Sequence, residues 1–243
     1  MEILIFDIHC HILPGVDDGA RSEDSTKRML KIAAKEGTGA IVATPHFTCG
    51  MREGNKQDIV QKYKMVSEWW REYSPKKQFF LGNELFYSEG IVEALRQGDA
   101  LTMNGTKYVL VEFPTYIDFR SLKKGVQTLL YAGYYPIIAH IERYECMGKK
   151  ENVQELIDIG AYMQVNASAV LGKHGFLKKL YVMKLLRQSL VHFVATDAHG
   201  ASRRAPEMRE CAIYLKKKLG GEMARQILER NPMKMLKGEE LNG

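Results

Sequence analysis

The stretch ILIFDIHCHILPGVDDG, residues 3–19, sets a short apolar run directly against two histidines and three aspartates. Ile3-Leu4-Ile5-Phe6 has the continuous apolar character of a strand buried on both faces. Side chains two apart on a strand point the same way, so His9 and His11 share one side at its C-terminal end. Two imidazoles converging there suit half of a metal site. The same residues also suit a polar loop in which Pro14-Gly15 and Asp17-Asp18-Gly19 form turns. The stretch alone leaves both readings open.

Outward from it, apolar runs recur near 40–44, 78–83, 108–112, 136–140, 162–166 and 192–196, which with 3–7 makes seven candidate strands. Helical patterns lie between them. The first opens at Ser22, carries Glu23 and Asp24 in its first turn, places Met29, Ile32 and Ala33 on an apolar face, and stops at Gly37. The second aligns Ile59, Tyr63, Val66 and Trp70 before breaking at Ser74-Pro75. Further helices fit 119–132, 151–159, 176–189, 206–219 and 222–230, with Asn231-Pro232 ending the last. Seven β-α repeats predict an α/β fold with a parallel sheet closed into a barrel, as a single domain over 1–243. An open doubly wound sheet is the alternative, but no Gly-rich dinucleotide fingerprint supports it.

Composition narrows the partners. The chain has 243 residues, a net charge of +6 and four widely spaced cysteines without a C-x-x-C pair. A disulfide scaffold or cysteine-zinc site is not expected. Basic residues are dispersed, as in Lys76-Lys77 and Lys216 to Lys218, which fits a solvated surface rather than a nucleic-acid stripe. No apolar run approaches the roughly 20 residues that span a bilayer, and the acidic, strand-like N-terminus lacks a secretory h-region. No nucleic acid and no membrane insertion are expected, and a cytoplasmic location is.

In parallel barrels the chemistry sits at the C-terminal strand ends. Here those ends carry His46, Glu84, Glu112, His140, Asn166, Asp197 and His199. With His9 and His11, every strand delivers a polar group to one rim, and five of the seven histidines sit there. Any one of them could be a turn residue or a satisfied core histidine; their agreement marks a ring of metal ligands. His192 begins a strand and reads as structural, and His174, in "GKHGF", as an exposed loop residue.

The motifs "DIHCHILPGVDDG", "TPH", "GNELFY", "VEF", "AHIERY", "QVNAS" and "ATDAHG" closely resemble the polymerase-and-histidinol-phosphatase (PHP) superfamily. Within it, "LPGVDDG" and "AHIERY" are similar to the bacterial manganese-dependent protein-tyrosine phosphatases of capsule and exopolysaccharide operons. The likeness runs from Phe6 to Asn231-Pro232. It implies a distorted (β/α)7 TIM-like barrel and three divalent metal ions, manganese first, with iron or zinc as substitutes. Carried over by position, His9, His11, Glu84 and Asp197 would hold one ion. Glu84, Glu112 and His140 would hold a second, with Glu84 as the bridge, and Asp18, His46 and His199 a third. Asp7 would orient a ligand and Asp17 would shape the turn. Arg143 and Arg204 match phosphate-binding positions, with Arg203 adjacent. The loop at 47–57 shares little with the relatives. The implied partner is a phosphotyrosine protein, a membrane-associated tyrosine autokinase.

The chemistry follows from this donor set. Nitrogen and oxygen ligands without thiolate suit manganese, iron or zinc. Three divalent ions outweigh the carboxylates of Asp18, Glu84, Glu112 and Asp197 by about two charges, which suits a bridging hydroxide and a phosphate dianion. Tyrosinate, with a parent pKa near about 10, leaves more easily than a serine alkoxide. A thiol mechanism is unsupported, since it needs an arginine six positions after the cysteine. Those positions hold Val16, Asn55, Asn152 and Lys217. Three alternatives stand beside this reading. A PHP-type phosphatase acting on a small metabolite such as histidinol phosphate shares the ligand ring. An amidohydrolase would place a lysine where Glu112 stands. A non-catalytic PHP scaffold would have lost ligands. For Arg143 the competing role is a surface pair with Glu142.

Overall fold

The computed structural model describes residues 3–51, 55–73 and 75–241. The break expected at Ser74 and residues 52–54 of the 47–57 loop lie outside the described residues. The chain begins β1 (Ile5–Cys10), α1 (Glu23–Lys35), β2 (Thr38–Ala43), β3 (His46–Phe47), α2 (Lys56–Tyr73), β4 (Gln78–Leu81), β5 (Glu84–Phe86), α3 (Ile91–Gln97) and β6 (Tyr108–Glu112). It continues α4 (Phe119–Tyr131), β7 (Tyr135–Ile138), α5 (Lys150–Asp158), β8 (Tyr162–Asn166), α6 (Ala167–Leu171), α7 (Phe176–Arg187) and β9 (Phe193–Ala195). Helices α8 (Arg209–Leu219), α9 (Gly221–Arg225) and α10 (Asn231–Lys237) complete it.

Every strand pairing is parallel, in the orders β1-β2-β4 and β3-β5-β6-β7-β8-β9. The expected strands at 40–44 and 78–83 are each divided, at Thr44-Pro45 and at Gly82-Asn83. Pro45 has no N–H to donate to a ladder. Across the two breaks the backbone still bonds in sequence, Gly82 N to Ala43 O at 2.9 Å and Glu84 N to Pro45 O at 3.2 Å. The Asn83 side chain fills the gap, donating to Pro45 O at 2.8 Å and accepting from Leu101 N at 2.8 Å. The strands curl so that the segment after β9 reaches the end of β1, with Asp197 N donating to His9 O at 2.8 Å and His11 N to Ala198 O at 2.9 Å.

One apolar cluster gathers side chains from the inner face of this curl, among them Phe6, Ile8, Val42, Leu110, Ile137 and Phe193. Fully burying such a side chain contributes about 1.5–3 kcal/mol. The C-terminal segment covers the lower end, where Tyr108 OH donates to Glu239 O at 2.8 Å and Asn104 Nδ2 to Leu236 O at 3.0 Å. The upper end is left to the polar residues.

The helices obey local rules with two exceptions. Ser22 caps α1 by accepting from Ser25 N at 3.2 Å, and Met29, Leu30 and Ala33 are buried, with Leu30 rather than Ile32 completing the face. Ile59, Val66 and Trp70 of α2 are buried, and Tyr63 OH donates to Phe79 O at 3.1 Å. Asn231-Pro232 does not end the helical segment but opens α10. Proline at a first turn sacrifices no intrahelical bond, and a π-helical turn over Gln226–Arg230 makes the junction. No helix among the described residues is long and apolar enough to cross a membrane.

His192 is structural. Its Nδ1 accepts from Met163 N at 3.1 Å, its carbonyl accepts from Asn231 Nδ2 at 2.8 Å, and its ring meets Tyr162 edge-on. Burial pushes its pKa down to about 4 from 6.5. The unfolded chain therefore binds a proton between these values that the fold refuses. Stability from this residue is complete above pH 6.5 and is lost as pH falls towards 4. His192→Asn keeps an acceptor without titrating. The expected outcome is that wild type loses up to about 3 kcal/mol more than this variant between pH 7 and pH 4. Urea unfolding at the two pH values checks it, and parallel losses would refute it.

Candidate metal centre

The nine nominated ligands come together at one end of the sheet, most of them at or just beyond C-terminal strand ends, with His46 and Glu84 opening the short strands β3 and β5. Spacing in β1 predicts that His9 and His11 lie together, and their Nε2 atoms are 3.1 Å apart. Strict alternation would have set Cys10 and Ile12 on the side of Ile8. Instead Phe6 and Ile8 join the inner cluster while Cys10 and Ile12 join the one beneath α1 and α2. The β1–β2 register shifts between Asp7 and Cys10, and this irregularity turns the histidines inward. The Asp17-Asp18-Gly19 turn lies against them. A Cβ on Gly19 would fall 2.2 Å from His11 O, so only glycine permits the approach.

Three groups bring donor atoms within 4.8 Å of one another among the described residues: His9, His11, Glu84 and Asp197; His11, Asp18, His46 and His199; and His46, Glu84 and Glu112. In the first, Glu84 Oε2 lies 3.1 Å from both His9 and His11 Nε2, and Asp197 Oδ1 lies 3.4 and 3.7 Å from them. A tetrahedral ion with bonds of about 2.1 Å has donor–donor edges of about 3.4 Å. The residues fit. Asp197 Oδ1 is buried without a well-aligned hydrogen bond, its cationic neighbour being the Arg204 guanidinium at 2.6 Å.

In the second group, His46 and His199 Nε2 lie 3.4 and 3.3 Å from Asp18 Oδ1. On its other side, His46 Nδ1 is 3.3 Å from both Glu84 Oε2 and Glu112 Oε1. His140 Nε2 reaches Glu84 Oε1 at 2.8 Å and Glu112 Oε2 at 3.5 Å. His11 falls in two groups, but its Nδ1 is bonded to Asp17 at 2.7 Å, so one nitrogen remains for one ion.

The electrostatics are those of a cation site. Burial opposes ionisation of Glu84, yet His9, His11 and His140 hold its carboxyl well below the usual range. Burial opposes Asp197 likewise, and the charges of His9 and Arg143 overcome it. Against their own burial, His11 is raised to about 10 by Asp17 and Glu84, and His140 to about 9 by Glu112 and Glu84. Mutual pairing of opposite charges explains all four shifts: the carboxylates favour the protonated imidazoles, and the imidazolium and guanidinium groups favour the ionised carboxylates. No cysteine belongs to the donor groups among the described residues, and burial pushes Cys10 well above the ordinary thiol range and Cys211 up to about 12.

Supporting contacts differ from the sequence expectation at three aspartate and glutamate positions. Asp17 does more than shape a turn: it holds His11 Nδ1 and accepts from His46 N at 3.1 Å. Asp7 touches Thr196 instead of a ligand ring, accepting from its N and Oγ1 at 2.9 and 2.5 Å, and so ties β1 to the segment leading into Asp197. Glu142 is buried and accepts from Asn166 N at 3.1 Å, so it is not the surface partner of Arg143. Sequence reasoning missed Gln164, which joins His9 Nδ1 at 3.3 Å, His140 N at 2.7 Å and Asn166 Oδ1 at 2.9 Å. Its signal was a polar residue two before Asn166 on the same strand face.

Backbone strain marks the same place. Of five non-glycine residues with positive φ among those described, three are His140, Asp197 and Arg204. Asp197 is also bonded to three residues, Asn166, Arg143 and Arg204, that line a cavity of about 500 Å³. Asn166 Nδ2 donates to its Oδ2 at 2.9 Å, Arg143 pairs with the same oxygen, and Arg204 Nη2 lies 2.6 Å from Oδ1. Arg143 and Arg204 line the cavity. His174 lies at its exposed edge, outside the donor groups.

Known proteins share this architecture. The family described as capsular polysaccharide synthesis, CpsB/CapC, matches residues 5–237. The tyrosine-protein phosphatase CpsB of Streptococcus pneumoniae is 34% identical over 238 residues, covering 96% of this chain and 98% of that protein. A chain from the crystal structures of YwqE from Bacillus subtilis and CpsB from Streptococcus pneumoniae, unique metal-dependent tyrosine phosphatases, matches with a TM-score of 0.89 at 29% identity, covering 98% and 96% of the two chains. Histidinol phosphate phosphatase from Lactococcus lactis, solved with zinc, L-histidinol and phosphate, matches with a TM-score of 0.59 at 15% identity over 89% and 94%, a likeness of fold. By sequence and by fold, this chain belongs to the CpsB/CapC family.

Proposed function

We propose that this chain is a metal-dependent protein-tyrosine phosphatase, with 1–243 forming one PHP-type domain built on a (β/α)7 barrel. The observation that carries the reading is Asp197, where a buried donor cluster and two cavity-lining arginines meet on one carboxylate. A phosphate ester entering the cavity meets both arginines, which pair with a carboxylate of the cluster. Kinship with named tyrosine phosphatases supports phosphotyrosine as the substrate.

Three ions would be held: one by His9, His11, Glu84 and Asp197, one by Glu84, Glu112 and His140, and one by Asp18, His46 and His199. The N/O donor set suits manganese, with iron or zinc as substitutes. When bound, such ions supply Lewis acidity and a water whose pKa falls to about 7. The residues do the rest. Arg143 and Arg204 hold the phosphoryl oxygens by charge-assisted hydrogen bonds, Asn166 fixes Asp197, and Asp17 and Gln164 fix the rings of His11 and His9. The phenolate product leaves with a parent pKa of about 10, without the help an alkoxide requires. The proposed protein substrate is a tyrosine autokinase of capsule or exopolysaccharide synthesis, met in the cytoplasm.

A substrate panel on metal-loaded protein tests this reading. Phosphotyrosyl peptide is expected to exceed phosphoseryl peptide and histidinol phosphate in kcat/KM. Preference for histidinol phosphate would transfer the chain to small-molecule chemistry. Exhaustive chelation is expected to abolish turnover, whereas thiol alkylation is not; activity surviving metal removal would reject the mechanism. Glu84→Ala is expected to abolish turnover and lower the bound metal, measured by elemental analysis, and near-normal activity with full metal would end its bridging role. Arg143→Ala is expected to lower kcat/KM by about 2–4 kcal/mol, as loss of an oxyanion donor does, with metal content intact. A change below about threefold, under 1 kcal/mol, would give Arg143 only the weight of a surface pair.

A further inference from the structure

The cavity next to the arginines that pair with Asp197 has a mixed lining: the guanidinium groups of Arg143 and Arg204, and the apolar side chains of Ala167, Leu171 and Ala205. Lys173 and His174, in the segment Gly172-Lys173-His174-Gly175 between α6 and α7, also line it. Gly172 and Gly175 have φ of 86° and 104°, values that side-chain-bearing residues rarely adopt, so the glycines let the chain turn beside the cavity. Two contacts hold the segment there. Lys173 Nζ donates to Glu207 Oε2 at 3.1 Å across the cavity, and His174 Nε2 is hydrogen-bonded to Ser168 Oγ at 2.8 Å. The bond to Ser168 fixes the imidazole plane at the cavity's edge. It is not a member of any donor group, and the proposed metal chemistry does not use it.

We propose that this cavity receives the aromatic ring of the substrate tyrosine and that His174, braced by Ser168, is the specificity residue that contacts it. The proposal rests on the phosphatase reading above and deepens it. An aryl phosphate matches both kinds of lining, its dianion meeting the arginines while the ring packs against Ala167, Leu171 and the imidazole. A seryl phosphate has no ring to pack against the apolar lining. Partial burial, with the charges of Lys178, Arg143 and Arg204, lowers the His174 pKa. A neutral imidazole at pH 7 can stack on a phenol ring without adding charge to its apolar side.

The test is steady-state kinetics of the metal-loaded full chain. The substrates are phenyl phosphate, a phosphotyrosyl peptide and a phosphoseryl peptide, with inorganic phosphate as inhibitor. His174→Ala is expected to lower kcat/KM for both aryl substrates about fivefold to tenfold, the scale of one aromatic contact, mainly through KM. The phosphate inhibition constant is expected to change less than about twofold, because phosphate alone has no ring to contact the imidazole. His174→Phe, which restores a planar ring, is expected to recover most of the lost efficiency. Ser168→Ala, which frees the imidazole, is expected to give a smaller loss in the same direction. Unchanged aryl kinetics in His174→Ala would overturn the proposal. So would an equal loss for the phosphoseryl peptide and for phosphate binding, which would make the effect merely structural. A wild type that does not prefer phosphotyrosyl over phosphoseryl peptide fails the phosphatase reading itself, and is distinguished because it is seen before any variant is made.

Discussion

One buried carboxylate organises the upper end of this molecule. Glu84 sits at the start of β5 with His140 at 2.8 Å, His9 and His11 at 3.1 Å and His46 at 3.3 Å. Four imidazoles from β1, the turn after it, β3 and the turn after β7 can approach one carboxylate only if the sheet curls and its strand ends converge. The division at Gly82-Asn83 begins β5 at that position, and the division at Thr44-Pro45 sets His46 directly beside it in register. The fold and the site therefore share a cause. A buried anion among imidazoles is costly unless cations or protons balance it, and the raised histidines and lowered carboxylates record that balance.

Asp197 is the second junction. Its backbone N–H bonds His9 O, its Oδ1 lies between the histidine cluster and Arg204, and its Oδ2 takes Asn166 and Arg143. Such a residue answers to three constraints at once, and its positive φ is the conformational cost of meeting them. Asp7 supports this geometry from a distance, since Thr196, the residue it clamps, immediately precedes Asp197.

Much of this was readable in the sequence, for a physical reason. Buried parallel strands are short apolar runs, and a polar residue that ends such a run marks the rim, so His46, Glu84, Glu112, His140 and Asp197 could be nominated one strand at a time. What could not be read depended on pairing between distant segments. The shift that turns His9 and His11 inward is a property of β1 against β2. The partners of Asp7 and Asp17 lie 189 and 6 residues away, and nothing local distinguishes a clamp on Thr196 from a hold on a ligand. Gln164 looked like a strand residue because its importance lies in bonding two other strands' residues. Arg143 beside Glu142 suggested a local pair, but burial of Glu142 against Asn166 sends the arginine to Asp197. Pro232 reads as a stop until the preceding π-helical turn is known.

The central claim is that the cluster around Glu84 is a binding site for divalent cations. Anomalous diffraction at the manganese edge, from crystals of the manganese-loaded protein, tests it most directly. The account predicts anomalous peaks on either side of the Glu84 carboxylate, each about 2.0–2.3 Å from a carboxylate oxygen. Crystals in which the bound manganese scatters elsewhere, with Glu84 hydrogen-bonded only to protonated histidines, would contradict it.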